Sequence, residues 1–356
     1  MIEFRTLLIT LGLLLFIVAL TTIAAIANKI YSNREEGAKR RFLDDLRKRF
    51  LLLSAPEERD EALRGIAAAV GGRWSELAAE EASQLELNLR LDVIQALETH
   101  GVVARLLRSA KSPLKWTRAH ALRVLGELKV PASVPTLLAA LEDRDADVRN
   151  VAARSLGRMR LQAAEEALVG LLGKHEQAVS ARIAAICIEM GARTAPLLIR
   201  ALREGTPRAR FWAARILGEI KDARAARSLG DALLDGEPDV RSAGAWALGS
   251  IADRSTAPLV LPLLEDPVWY VRAHAAEALG AIGDTTAAGA LGEALRDRSW
   301  WVRRNALDAL VRLGEPSKAI LMRALESDDR FARDCAVEAL TSMGVAVAMP
   351  PAASDA

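Results

Sequence analysis

Aromatic side chains make up only 4% of this 356-residue chain, and just two of them are tyrosines. Cysteine is scarcer still, with Cys187 and Cys335 alone. Histidine occurs four times, at His100, His120, His175 and His274. Net charge is almost missing, because 48 Lys and Arg stand against 46 Asp and Glu and leave +2. Each shortage excludes something. Two widely separated cysteines cannot build a disulfide framework, and they read as small core residues in a reducing compartment. A nearly neutral chain is not a strongly basic nucleic-acid binder. No two histidines lie at metal-ligand spacing on one helix. There is no glycine-rich phosphate loop after a strand and no nucleophile with a recognisable partner. No catalytic, metal-binding or cofactor-binding residue is therefore assigned, and the chain reads as a non-enzyme.

What is present is regularity. Hydrophobic residues reach 51%, enough for a large core, and alanine and leucine dominate, as in an all-helical chain. An arginine recurs at Arg118, Arg149, Arg210, Arg241, Arg272, Arg303 and Arg333, with gaps of 31, 61, 31, 31, 31 and 30 residues. Ser180 stands in the double gap, where Val179-Ser180 replaces a Val-Arg pair. A fixed period of this size marks a solenoid. Within one unit, Val271, Ala275, Ala278, Leu279 and Ile282 share a helical face, and Gly283-Asp284 signals a helix end. Each unit is a helix hairpin that buries its apolar faces only against its neighbours.

The frame Asp147-Val148-Arg149-Asn150-Val151-Ala152-Ala153-Arg154-Ser155-Leu156-Gly157 returns as Asp239-Val240-Arg241-Ser242-Ala243-Gly244-Ala245-Trp246-Ala247-Leu248-Gly249. It resembles HEAT-like repeats, specifically the short variety named after phycobilisome lyases, over residues 87–344. The resemblance implies a right-handed all-α solenoid of eight to nine hairpins. It also implies that the turn acid and the arginine form a hydrogen-bonded ladder, with the arginine helices lining the concave side. Ser180 should leave one rung missing and mark a bend. The related di-iron hydroxylases use several His-Glu pairs, of which only His175-Glu176 occurs here. Nothing identifies a bilin site, and the charge balance argues against the DNA glycosylases built on this repeat.

The ends differ from the middle. Thr6 to Asn28 carries no charge, and about 20 helical residues cross a bilayer core. The expectation is an uncleaved anchor in residues 1–30 rather than a signal peptide, although Ala25-Ile26-Ala27 offers a cleavage pattern. The basic residues from Lys29 to Arg49 follow the span, which predicts a single-pass inner-membrane protein with a cytoplasmic solenoid. They also offer a contact for anionic lipid. Residues 31–86 lack the register and read as a helical cap, and residues 345–356 as a disordered tail.

The arginine indexes the surface. Five positions beyond it (slot +5) stand Gln95, Arg123, Arg154, Ala185, Arg215, Trp246, Glu277, Asp308 and Glu338, basic first and acidic last with tryptophan at the crossover. Phe211 and Trp212 lie nearby in sequence. Such a column suits a protein partner or an extended peptide. Trp116, Trp269, Trp300 and Trp301 precede their arginines and read mainly as packing residues. The cluster Trp269, Tyr270, Trp300 and Trp301 forms a second contact patch. The sequence thus predicts a membrane-anchored, non-catalytic scaffold. Its alternatives are an accessory lyase or chaperone for a prosthetic group, and a periplasmic structural protein.

Overall fold

The computed structural model describes residues 2–174 and 177–345, with side chains from residue 20 onward apart from 23–27 and 30. The pair His175-Glu176 and residues 346–356 of the tail expected at 345–356 lie outside the described residues. All described elements are helical. The chain divides into two compact units, Met1–Thr136 and Leu137–Ala356.

The first unit holds α1 (Ile2–Leu52), α2 (Arg59–Val70), α3 (Ser75–Ser83), α4 (Leu87–Thr99), α5 (Val102–Ser109) and α6 (Lys115–Glu127). Helix α2 opens with Asp60 and Glu61, where the amino-terminal dipole favours acids, and gives way at Gly71. The later half of α1 docks on α2 and α3. Leu46 and Leu53 are buried there, and the Phe42 and Trp74 rings lie 6.4 Å apart. Arg47 pairs with Glu81 at 2.7 Å, and Arg73 with Glu35 at 2.9 Å.

This changes the expected membrane anchor. Helix α1 runs unbroken for 51 residues through the anticipated boundary near residue 30 and into a charged segment that belongs to a folded body. Among the described residues, no helix is long and apolar enough to cross a membrane. The single-pass anchor, the inner-membrane localisation and the orientation inferred from the basic flank are corrected accordingly.

The division falls within α7 (Val134–Ala139). The second unit then holds α8 (Ala146–Met159), α9 (Gln162–Leu171), α10 (Gln177–Met190), α11 (Ala195–Glu204), α12 (Pro207–Ile220), α13 (Ala226–Ala232), α14 (Pro238–Ile251), α15 (Ala257–Val260), α16 (Trp269–Ile282), α17 (Ala288–Ala294), α18 (Trp300–Leu313), α19 (Lys318–Ala324) and α20 (Arg330–Ser342). The even-numbered helices from α8 carry the arginine register. Helix α14 shows how one is built. Pro238 takes the first turn, where its missing amide costs nothing. Val240, Leu248 and Ala247 are buried, together with Leu229 and Leu233 of the preceding α13 segment. Ala252 then turns left-handed at φ 58°, and Asp253 caps the next short turn by accepting the Ser255 amide at 2.9 Å. Lys221-Asp222 and Gly283-Asp284 repeat that ending.

The arginine helices pack on one another through a seam of small residues. A Cβ added at Gly249 would lie 2.7 Å from Ala278 Cα, and one at Gly280 equally close to Ala309 Cα. Only glycine permits that approach. A ladder runs beside the seam. Arg210 grips Asp235, Arg241 grips Asp266 and Arg272 grips Asp297, each through Nε and Nη2 at 2.6 to 3.0 Å. Each Nη1 donates to carbonyls of the arginine's own preceding loop. The ladder acid is thus the aspartate six positions before the next arginine.

The slot that would serve Arg149 holds exposed Lys174, six positions before Ser180. Arg182 sits close enough to Arg149 for the like charge to depress its pKa, after burial does so more strongly. It donates to the Leu141 carbonyl at 2.8 Å. Within the second unit, the run of consecutive arginine–aspartate rungs among the described residues therefore starts at Arg210.

Candidate partner-binding surface

The slot +5 residues of the second unit all lie on its arginine helices. Arg154 on α8, Ala185 on α10, Glu277 on α16 and Glu338 on α20 are exposed, while Arg215, Trp246 and Asp308 are half-buried. One contact links successive members of the column: the Arg215 guanidinium carbon stands 3.6 Å from the Trp246 ring centroid. A cation over an indole face is attracted by the ring quadrupole, and the stack holds both side chains flat. Next to it, His274 Nδ1 lies 2.5 Å from the hydroxyl of buried Ser242. Burial pushes the His274 pKa below its usual value, Glu277 pulls it up and Arg215 pushes it down. Arg215, Trp246, Ser242, His274 and Glu277 thus form one cluster across α12, α14 and α16.

The charge gradient is weaker than the sequence suggests. Arg304 lies 3.3 Å from Asp308 and 2.8 Å from Glu338, so the acidic end is partly neutralised. Glu277 is exposed and makes no ion pair among the described residues. Phe211 and Trp212 meet edge to face at 5.5 Å. Together with Arg208, Glu237 and Asp239 they line a separate cavity of about 420 Å³ at the amino-terminal ends of α12 and α14.

The family model for HEAT repeats matches in four overlapping stretches, residues 103–189, 172–249, 228–297 and 289–354. The chain belongs to the HEAT-repeat family. Among solved structures it is similar to an engineered protein, at 20% identity over 84% of this chain and 88% of that one, TM-score 0.39. It is also similar to a chain of the Kap95p–RanGDP structure, at 14% over 81% and 51%, TM-score 0.45. A third is a chain of the CpcE and CpcF complex of phycocyanin lyase from Nostoc sp. PCC7120, at 23% over 68% and 94%, TM-score 0.33. These likenesses show the fold alone. No curated protein matches the sequence.

Other predicted residues find different places in the HEAT-repeat fold. Arg123 lies in the first unit, where its Nη1 meets Glu76 Oε2 at 2.9 Å. Glu76 Oε1 is 2.9 Å from His120 Nδ1, and His120 Nε2 is 2.9 Å from Ser75 Oγ. Ser75 is only 3% exposed, so this chain of contacts reads as a clamp joining α3 to α6. Sequence reasoning missed it because 44 residues and no shared register separate its halves.

The pre-arginine tryptophans do not pack as expected. Trp116, Trp269, Trp300 and Trp301 are all exposed, because the first turn of each arginine helix projects them outward. Cys187 and Cys335 are buried, and burial first of all pushes their thiols up to about 12 and about 11. Neither is a ready thiolate nucleophile. Among the described residues no group of His, Cys, Asp and Glu is arranged to hold a metal.

Proposed function

We propose that this HEAT-repeat protein is a non-catalytic scaffold that holds a protein partner along the slot +5 column of its second unit. The observation that supports the reading is the Arg215–Trp246 stack. It is half-buried, preorganised and flanked by exposed Arg154 on one side and unpaired Glu277 on the other. A flat aromatic–cation centre with opposite charges at its rims is the composition of a binding hot spot. The fitting partner is a segment with an acidic residue towards Arg154 and a basic residue towards Glu277. Ala185, exposed between Arg154 and Arg215, leaves room for partner backbone.

The test is site-specific. A photocrosslinker at Ala185 should capture a discrete partner, and one at exposed Leu234 should not. Arg154→Glu with Arg215→Glu should abolish capture while circular dichroism is unchanged. Undiminished crosslinking in that variant would remove the assignment.

A further inference from the structure

A second surface runs along the amino-terminal ends of the arginine helices. Trp269 and Tyr270 open α16, and Trp300 and Trp301 open α18. The three tryptophans are 47%, 49% and 55% exposed. Each pair is fixed edge to face, with ring centroids 5.7 and 4.8 Å apart. Such rigid, wet indoles on adjacent repeats form a contact surface rather than a core. Tyr270 links this surface to its neighbour, because its hydroxyl donates to Asp239 at 2.8 Å. Asp239 and Glu237 are the carboxylates lining the 420 Å³ cavity beside Phe211 and Trp212.

Spacing identifies what fits. Two adjacent arginine helices, α16 and α18, each open with an aromatic pair, and packed helices lie about 8–10 Å apart. The two pairs therefore stand about one helix spacing apart. A polyproline II helix repeats every three residues at 3.1 Å each, about 9.3 Å. A β-strand presents one face every 6.6–6.8 Å or so and falls out of step. Two carboxylates beside two aromatic rings, against the single Arg208, then select a cation at one end.

We propose that this edge binds a proline-rich segment of a partner protein in the polyproline II conformation. Its prolines ride on Trp269, Trp300 and Trp301, and a terminal basic residue enters the cavity at Glu237 and Asp239. The site is separate from the slot +5 column and does not depend on it.

The experiment titrates the full chain with three fluorescent peptides and reads anisotropy. They are Arg-Arg followed by nine prolines, Glu-Glu followed by nine prolines, and Arg-Arg followed by nine alternating glycines and serines. The first should bind saturably, with both others weaker by about tenfold or more. Trp301→Ala, and Glu237→Gln with Asp239→Asn, should each weaken it about fivefold or more with unchanged helicity. Arg154→Glu with Arg215→Glu should bind it normally, which separates this site from the scaffold surface. The proposal is overturned by absence of saturable binding, by equal binding of the glycine-serine peptide, or by indifference to Trp301→Ala.

Discussion

Arg241 and Asp266 form a two-pronged ion pair across neighbouring repeats, with Nε 2.7 Å from Oδ2 and Nη2 3.0 Å from Oδ1. Asp266 also accepts the Val268 amide of its own loop at 2.8 Å, and its carbonyl accepts Arg272 Nη1 at 2.8 Å. Both side chains are largely buried, at 14% and 7% exposure. Removing the carboxylate strands a buried guanidinium, which costs about 3 kcal/mol. Asp266→Ala should therefore lower the urea unfolding free energy by about that much. A double-mutant cycle with Arg241→Met should recover part of the loss.

The ladder fails at its far end in a way that can be mended. Six positions before Arg333 stands Ser327 instead of aspartate, and Arg303 Nε is buried without a hydrogen-bond partner. Its guanidinium lies over Phe331 at 3.9 Å. Ser327→Asp supplies the absent carboxylate and keeps an acceptor for Arg296, which now donates to Ser327 at 3.2 Å. Stability should rise by about 1 kcal/mol, seen as a higher melting temperature.

Ala252 carries a left-handed φ of 58° in the slot where Gly283 has 71°. An L side chain there costs roughly 1 kcal/mol. Ala252→Gly should stabilise the protein by about that amount, and Gly283→Ala should destabilise it similarly. Parallel chemical denaturation of both variants checks the pair of signs.

Two pH limbs follow from the electrostatics. The Arg210 fork holds Asp235 below the ordinary carboxylate value, against burial. Burial raises Asp266 and Asp297, yet the forks from Arg241 and Arg272, with loop amides, bring both below it as well. Folded values below the unfolded value of about 3.9 give stability that is present above pH ~4 and is lost as pH falls through them. His274, lowered chiefly by burial, adds an earlier limb: stability declines as pH falls below about 6.5. His274→Gln should flatten the loss between pH 6.5 and 5, and Asp235→Asn should soften the loss below pH 4, both measured as midpoint against pH.

Trp246 is the platform for Arg215. Trp246→Ala should weaken partner binding about tenfold, or 1.4 kcal/mol, by losing the stack and its buried area. Trp246→Phe should retain most of the affinity. Quantitative crosslinking at Ala185 against partner concentration checks both values.

Much of the fold was legible because one repeat states it several times over. The arginine register and the helix ends at Gly283-Asp284 are local signals that need no tertiary partner. The ladder acids Asp235, Asp266 and Asp297 recur with the same period of 31 as their arginines, but which turn acid meets the arginine is decided only by packing, since Asp239 of the repeat frame accepts Tyr270 instead. Other features depend on which side chains meet. Arg304 reaches Asp308 and Glu338 from a slot that the column does not index, so the gradient looked stronger than it is. The exposure of Trp300 and Trp301 depends on where the first turn of α18 points, and periodicity alone does not give that. The apolar run in α1 looked like a free-standing span because its docked continuation carries no repeat to announce it.

Each ladder aspartate is held by the arginine of one repeat and, through its carbonyl, by that of the next. The stretch from Arg210 to Arg303 is therefore tied in series, while the places of Lys174 and Ser327 leave a compliant joint on either side. Pulled from its ends, the second unit should yield outside this stretch first, and the tied repeats should give way together at higher force. They form a stiff splint between softer ends, carrying the Arg215–Trp246 centre and the tryptophan edge in constant relation to each other.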